Sequence, residues 1–114
     1  MSIKIWHNPR CSKSREALSL LEENSAEIEV FKYLDEEINS DDIKSLLSML
    51  GINAREIMRV KEDIYKELDL KNEESEDKLI EAMVKHHKLI ERPIIIKDNK
   101  AIIGRPPTLV LDLV

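Results

Sequence analysis

The sequence predicts an α/β fold: a mixed four-stranded sheet assembled from an N-terminal βαβ unit and a C-terminal ββα unit, with a helical insertion between them. Three observations predict it. Residues 3–33 read as strand, tight loop, helix and strand; residues from about 40 to 90 change to helical spacing; and residues 93–113 return to strand character before a last helix.

Ile3 to Trp6 is a short apolar run, read as a buried strand, and Ser12 to Glu23 places Ala17, Leu18 and Leu21 on one helical face. The run Ile28-Glu29-Val30-Phe31-Lys32-Tyr33 alternates and favours β-branched and aromatic residues. It predicts a second strand, parallel to the first across the helix.

In the insertion, Ile43, Leu46, Leu47 and Leu50 recur at helical spacing behind Ser40-Asp41-Asp42 and stop at Gly51. Asn53 with Glu56 three residues later resembles a capping box for a short helix through Arg59. Leu79, Ile80, Met83, Val84 and His87 mark a further helix after an acidic loop.

At the end, Pro93-Ile94-Ile95-Ile96-Lys97, a turn at Asp98-Asn99 and Ala101-Ile102-Ile103 read as an antiparallel hairpin. A last helix is expected after Pro106-Pro107, carrying Leu109, Val110 and Leu113; proline suits a first helical position because its missing N–H has no partner there. There is no internal repeat, linker or low-complexity segment, so residues 1–114 are expected to form one folding unit.

Composition agrees, since 114 residues at 42% hydrophobic and 36% charged suffice for one compact domain. The chain has no basic-then-apolar leader and no apolar run approaching the ~20 residues a membrane helix needs, which predicts a cytoplasmic protein without membrane contact. Modest apolar content without a heptad pattern favours a monomer.

Charge is unevenly placed. Residues 1–15 carry Lys4, Arg10, Lys13 and Arg15 and no acid; Glu16 to Glu91 carries 21 acids against 10 bases; and Arg92 to Pro107 turns basic again through Arg92, Lys97, Lys100 and Arg105 against Asp98. Two basic ends on an otherwise acidic chain suit a small anion better than a polyanion, which argues against nucleic acid as a partner.

The lone cysteine, Cys11, lies between the first strand and the first helix. A thiol at a helix N-terminus meets the unpaired N–H groups of the first turn and the positive end of the helix dipole, and both favour negative charge on sulfur. With no second cysteine, any disulfide must be formed with another molecule.

Other residues have simpler readings. Arg10, Arg15 and Arg55 read as solvated or ion-paired surface residues, whereas Arg92 and Arg105 each stand beside a proline within the basic end. His7 could cap the strand end or tune the thiol, and Ser14 could satisfy its own helix or do the same. His86-His87 is not a metal pair, since adjacent helical residues diverge and no suitably spaced ligand follows, so no metal is expected. Trp6 and Tyr33 read as core or rim.

The order βαβ, insertion, ββα matches the thioredoxin-like arrangement, and the motifs along it resemble the ArsC family of glutaredoxin-linked arsenate reductases. His7-Asn8-Pro9 with Cys11 through Arg15 resembles the family's active-site loop, Arg59 falls at the arginine closing its short insert helix, Glu91-Arg92-Pro93-Ile94 resembles its Asn/Glu-Arg-Pro-Ile segment, and Gly104-Arg105-Pro106 its late arginine-proline. The likeness covers essentially the whole chain. Where the best-known arsenate reductases read Cys-Gly-Thr-Ser, this chain reads Cys11-Ser12-Lys13-Ser14, which is more similar to the YfgD-type subgroup.

The resemblance implies roles. Cys11 would be the catalytic nucleophile toward arsenate or a related small oxyanion; Arg59, Arg92 and Arg105 would hold the oxyanion; His7 and Ser14 would stabilise the thiolate; and Pro93 would be the cis-proline beside the site. Arginine forks and helix N–H groups are suited to a tetrahedral dianion. Reduction needs two electrons and a second thiol, so glutathione is the implied co-substrate and a glutaredoxin the resolving partner, with no bound cofactor. Two alternatives stand beside this reading. One is an Spx-type partner-binding regulator, against which Ser14 counts because it stands where the second cysteine of a Cys-x-x-Cys switch would lie; the other is a monothiol glutathione transferase, which has less need of Arg59 and Arg92.

Overall fold

The computed structural model describes residues 3–24 and 27–112. The chain forms two compact units, Met1–Glu36 with Arg92–Val114, and Glu37–Glu91.

The first unit is the sheet. Its strands β1 (Ile3–Trp6), β2 (Ile28–Phe31), β3 (Ile94–Lys97) and β4 (Lys100–Ile103) lie in the order β2-β1-β3-β4, with β1 parallel to β2 and antiparallel to β3, and β3 antiparallel to β4. The mixed sheet and its thioredoxin-like arrangement are thus as the sequence predicts. The most buried strands, β1 and β3, are central, and there Ile94 and Ile95 are fully buried.

Strand alternation divides the side chains between the two faces. Ile3, Ile5 and Ile95 pack with Ala17 and Leu21 of helix α1 (Ser12–Asn24), and Leu18, Leu20, Ile28 and Ile102 close the edges of that cluster. A 3-10 helix, Pro107–Asp112, packs against α1 in place of the expected α-helix, and Leu113 lies outside the described residues. On the other face Trp6 meets Phe31 with ring centroids 5.1 Å apart.

Strand β2 is shorter than its alternation predicts, ending at Phe31 instead of Tyr33. The Tyr33 N–H turns back to the Phe31 carbonyl at 3.0 Å, and its buried ring stacks on Trp6 at 6.0 Å. Packing of the ring overrides continuation of an edge strand.

The second unit is helical: α2 (Ser40–Leu50), α3 (Ala54–Ile57), α4 (Asp63–Glu67) and α5 (Glu76–Lys85), with 3-10 turns at Leu70–Asn72 and His87–Leu89. Asn39 and Asp42 form a reciprocal capping box at the start of α2, and Gly51 ends it in the left-handed conformation at φ 69°. Ile43, Leu46 and Leu47 of α2 are buried, as are Leu79, Ile80 and Met83 of α5, which packs against α2 and α3.

Three expected features of these helices are not met. The Asn53 side chain makes no cap bond; the Ala54 N–H is instead taken by the Glu76 carboxylate at 2.8 Å. Helix α3 stops at Ile57, short of Arg59, because Met58 forms an antiparallel bridge with Ile90, flanked by Arg59 N–H to Leu89 O and Glu91 N–H to Ile57 O, both 2.7 Å. These non-local bonds replace the helix ladder. His87 likewise falls in a 3-10 turn beyond α5.

Arg55 is a structural pin of this unit and not the surface residue the sequence suggests. Its guanidinium donates to the Tyr65 hydroxyl, the Leu70 carbonyl and the Glu73 carbonyl. Arg55→Ala is expected to cost about 2–4 kcal/mol, because a charged fork serving three acceptors is lost; urea denaturation of the variant measures it.

Among the described residues, no helix is long and apolar enough to cross a membrane.

Candidate active site

The site is built at the junction of β1 and α1. β1 ends at Trp6, His7 donates its N–H to Phe31 O at 2.8 Å, and the loop Asn8-Pro9-Arg10 folds tightly before Cys11. Asn8 makes that loop. Its carbonyl accepts Cys11 N–H and its side-chain oxygen accepts Arg10 N–H, both at 3.0 Å, as asparagine does in turns. Arg15 reaches back from the helix to donate to Pro9 O at 2.9 Å.

Cys11 immediately precedes α1, and its carbonyl accepts Arg15 N–H at 3.0 Å, the first bond of the helix. The first-turn N–H groups have no intrahelical partners, so they present donors and a positive dipole end at the thiol. Cys11 is 8% exposed. Its Sγ lies 3.8 Å from Nη2 of Arg105.

Arg105 has a second bond. Its Nε donates to the carbonyl of Arg92 at 2.8 Å, so one guanidinium links the thiol to the segment entering β3. That segment is itself fixed: the Arg92-Pro93 peptide is cis, Pro93 is buried, and its carbonyl accepts Gly104 N–H at 2.8 Å. Arg105-Pro106 is also cis. The structure therefore brings Cys11, Arg105 and the Arg92-Pro93 backbone together from both ends of the chain.

His7 and Ser14 are paired with each other. His7 Nδ1 and Ser14 Oγ are 2.6 Å apart, both residues are buried, and Ser14 Oγ also accepts Asn8 N–H at 3.0 Å. His7 Nδ1 and Ser14 Oγ share one hydrogen bond, whose donor is set by the imidazole tautomer. The pair fastens the end of β1 to the first turn of α1, fixing the loop that holds Cys11.

Burial lowers the His7 pKa from its ordinary 6.5, Lys32 and Arg15 lower it further, and Glu22 opposes them. The folded state thus resists a proton that the unfolded chain accepts. Stability is full above pH 6.5 and falls below it, down to the lowered folded pKa, with a slope of at most about 1.4 kcal/mol per pH unit. Denaturation across that window is expected to show the loss in the native chain and a smaller one in His7→Asn; parallel curves would exclude His7 as its source.

Arg59 belongs to the second unit. Its Nη1 donates to Glu62 at 2.8 Å and its Nε lies 3.8 Å from Glu91, so two carboxylates already meet its charge. Among the described residues, no group of three His, Cys, Asp or Glu could hold a metal ion. Asn8 and Arg15 stand in the loop motif, but no separate role was expected of Asn8, for which the Asn-Pro dipeptide was the turn signal; Arg15, expected on the surface, is exposed and also bonds Pro9 O.

A mixed sheet ordered β2-β1-β3-β4, carrying its one thiol at the N-terminus of the first helix, defines a thioredoxin-like α/β protein with a single-cysteine site. The chain belongs to the ArsC family, whose model matches residues 6–113. It is 55% identical over 114 residues to the Escherichia coli K12 protein named "Uncharacterized protein YfgD", covering 98% of this chain and 96% of that one, which bears out the YfgD-type subgroup. It is 52% identical over 106 residues to a Neisseria meningitidis protein named "Arsenate reductase", covering 91% of each. A solved structure titled "Arsenate reductase from Vibrio cholerae" superposes with a TM-score of 0.96 at 47% identity, covering 100% of this chain and 98% of that one.

Proposed function

We propose that this protein reduces arsenate to arsenite, using Cys11 as nucleophile and glutathione with a glutaredoxin as electron donors. The observation that carries the reading is the 3.8 Å approach of the Arg105 guanidinium to Cys11 Sγ at the start of α1. Relatives named arsenate reductase at 44–52% identity support the substrate.

In the first step the Cys11 thiolate attacks arsenic and an oxygen leaves as water, giving an arsenic–sulfur ester. A glutathione thiolate then attacks Sγ; the As–S electron pair leaves with arsenic, which becomes trivalent, and Cys11 is left in a mixed disulfide with glutathione. A glutaredoxin thiol attacks the glutathione sulfur and restores Cys11. Arg105, the first-turn N–H groups of α1 and Arg92 hold the oxyanion; His7 and Ser14 hold the loop. No metal or bound cofactor enters the scheme. The protein acts as a monomer in the cytoplasm.

The test is NADPH consumption with arsenate, glutathione, glutathione reductase and glutaredoxin. Turnover that disappears when either arsenate or glutaredoxin is omitted is expected. Turnover of a protein mixed disulfide in the absence of arsenate would favour a thiol transferase instead.

A further inference from the structure

Resting on the reading of Cys11 as the nucleophile, we propose that Arg15 is a positioning residue for the reaction: its main chain and side chain together hold the segment from Pro9 to Cys11, and with it the thiol, in place at the start of α1. Its N–H donates to Cys11 O at 3.0 Å and its Nη1 to Pro9 O at 2.9 Å, so one residue grips the two carbonyls that flank the Arg10-Cys11 peptide. Proline has no N–H, and its carbonyl is the one main-chain group through which Pro9 can be held. A charged donor makes that bond stronger than a neutral one would.

An exposed arginine ordinarily turns to solvent or to a nearby carboxylate. Among the described residues the Arg15 guanidinium meets no carboxylate, and the first turn of α1 carries no acid; the side chain folds back over the loop instead. The charge bears on the same loop a second way. After burial, what disfavours a proton on His7, the hydrogen-bond partner of Ser14, is Lys32 just beyond β2 and then Arg15, against Glu22 of α1. Arg15 thus clamps the loop directly and keeps an uncharged imidazole beside it.

The test compares Arg15→Met, which keeps the stem and loses donor and charge, with Arg15→Lys, which can still give one charged N–H to one carbonyl. Arg15→Met is expected to lower kcat about tenfold or more while the KM for arsenate and for glutathione stays within about twofold, and Arg15→Lys to recover most of the loss. Without any substrate, amide hydrogen exchange at Cys11, whose N–H is bonded to Asn8 O, should quicken in Arg15→Met and return toward the native rate in Arg15→Lys, and NMR titration should find His7 protonating at higher pH in Arg15→Met. Native kcat in Arg15→Met, or a raised KM for arsenate as its main effect, would overturn the proposal and leave the reading of Cys11 standing. A native protein without arsenate turnover, or a Cys11→Ser protein that keeps it, removes that reading and the proposal with it.

Discussion

Replacing Cys11 with serine is expected to remove arsenate turnover, lowering kcat by about 10⁴-fold or more, because no other thiol in the chain can take its place. A serine hydroxyl is a far weaker nucleophile, and it cannot accept electrons through a mixed disulfide. The fold should not suffer. Cys11 is held by its backbone, through Asn8 O and Arg15 N–H, and these bonds are indifferent to the side chain. A Cys11→Ser protein that melts like the native one and is inactive in the NADPH-coupled assay is the expected result; a folded variant with native turnover would overturn the scheme.

The second large effect belongs to Arg105. It contacts Cys11 Sγ with Nη2 and the Arg92 carbonyl with Nε, and lysine has no second nitrogen with which to do both. Arg105→Ala is expected to reduce kcat/KM about 10²- to 10³-fold, in the range seen when one donor to a developing oxyanion is removed. Arg105→Lys should recover little of it, because a point charge replaces a fork. Steady-state kinetics of the two variants would measure this, and a lysine variant with near-native kcat/KM would show that charge alone suffices. Arg105 is exposed, so neither substitution should cost much stability.

The elements that were legible in the sequence are those with a strong period. The apolar runs of β1 and β3, the helical spacing of Ile43, Leu46 and Leu47, and Gly51 as the stop of α2 all follow from local chemistry. What was not legible depends on partners far along the chain. Asn53 and Glu56 have the spacing of a capping box, but Glu76 serves Ala54 and the Met58–Ile90 bridge ends the helix, and neither is encoded nearby. Arg55 looked like any surface arginine because its acceptors are a phenol and two carbonyls 10 to 18 residues away.

The candidate site divides in the same way. Cys11 between a strand and a helix was readable from the order of elements alone. That Arg105 reaches its sulfur from 94 residues away, and that His7 and Ser14 spend their hydrogen bond on each other, needed coordinates. Glu62 as a partner of Arg59 lay within reach of sequence, at a helical i,i+3 spacing, whereas Glu91 did not.

The account's central claim is that Cys11 of this chain carries two electrons from thiols to arsenic. The most direct test is arsenic speciation after incubation of the protein with arsenate, glutathione and glutaredoxin, with Cys11→Ser in parallel. Arsenite that accumulates with the native protein and stays at the enzyme-free level with the variant is the predicted result. Equal arsenite from both proteins, or none above background from either, would contradict it.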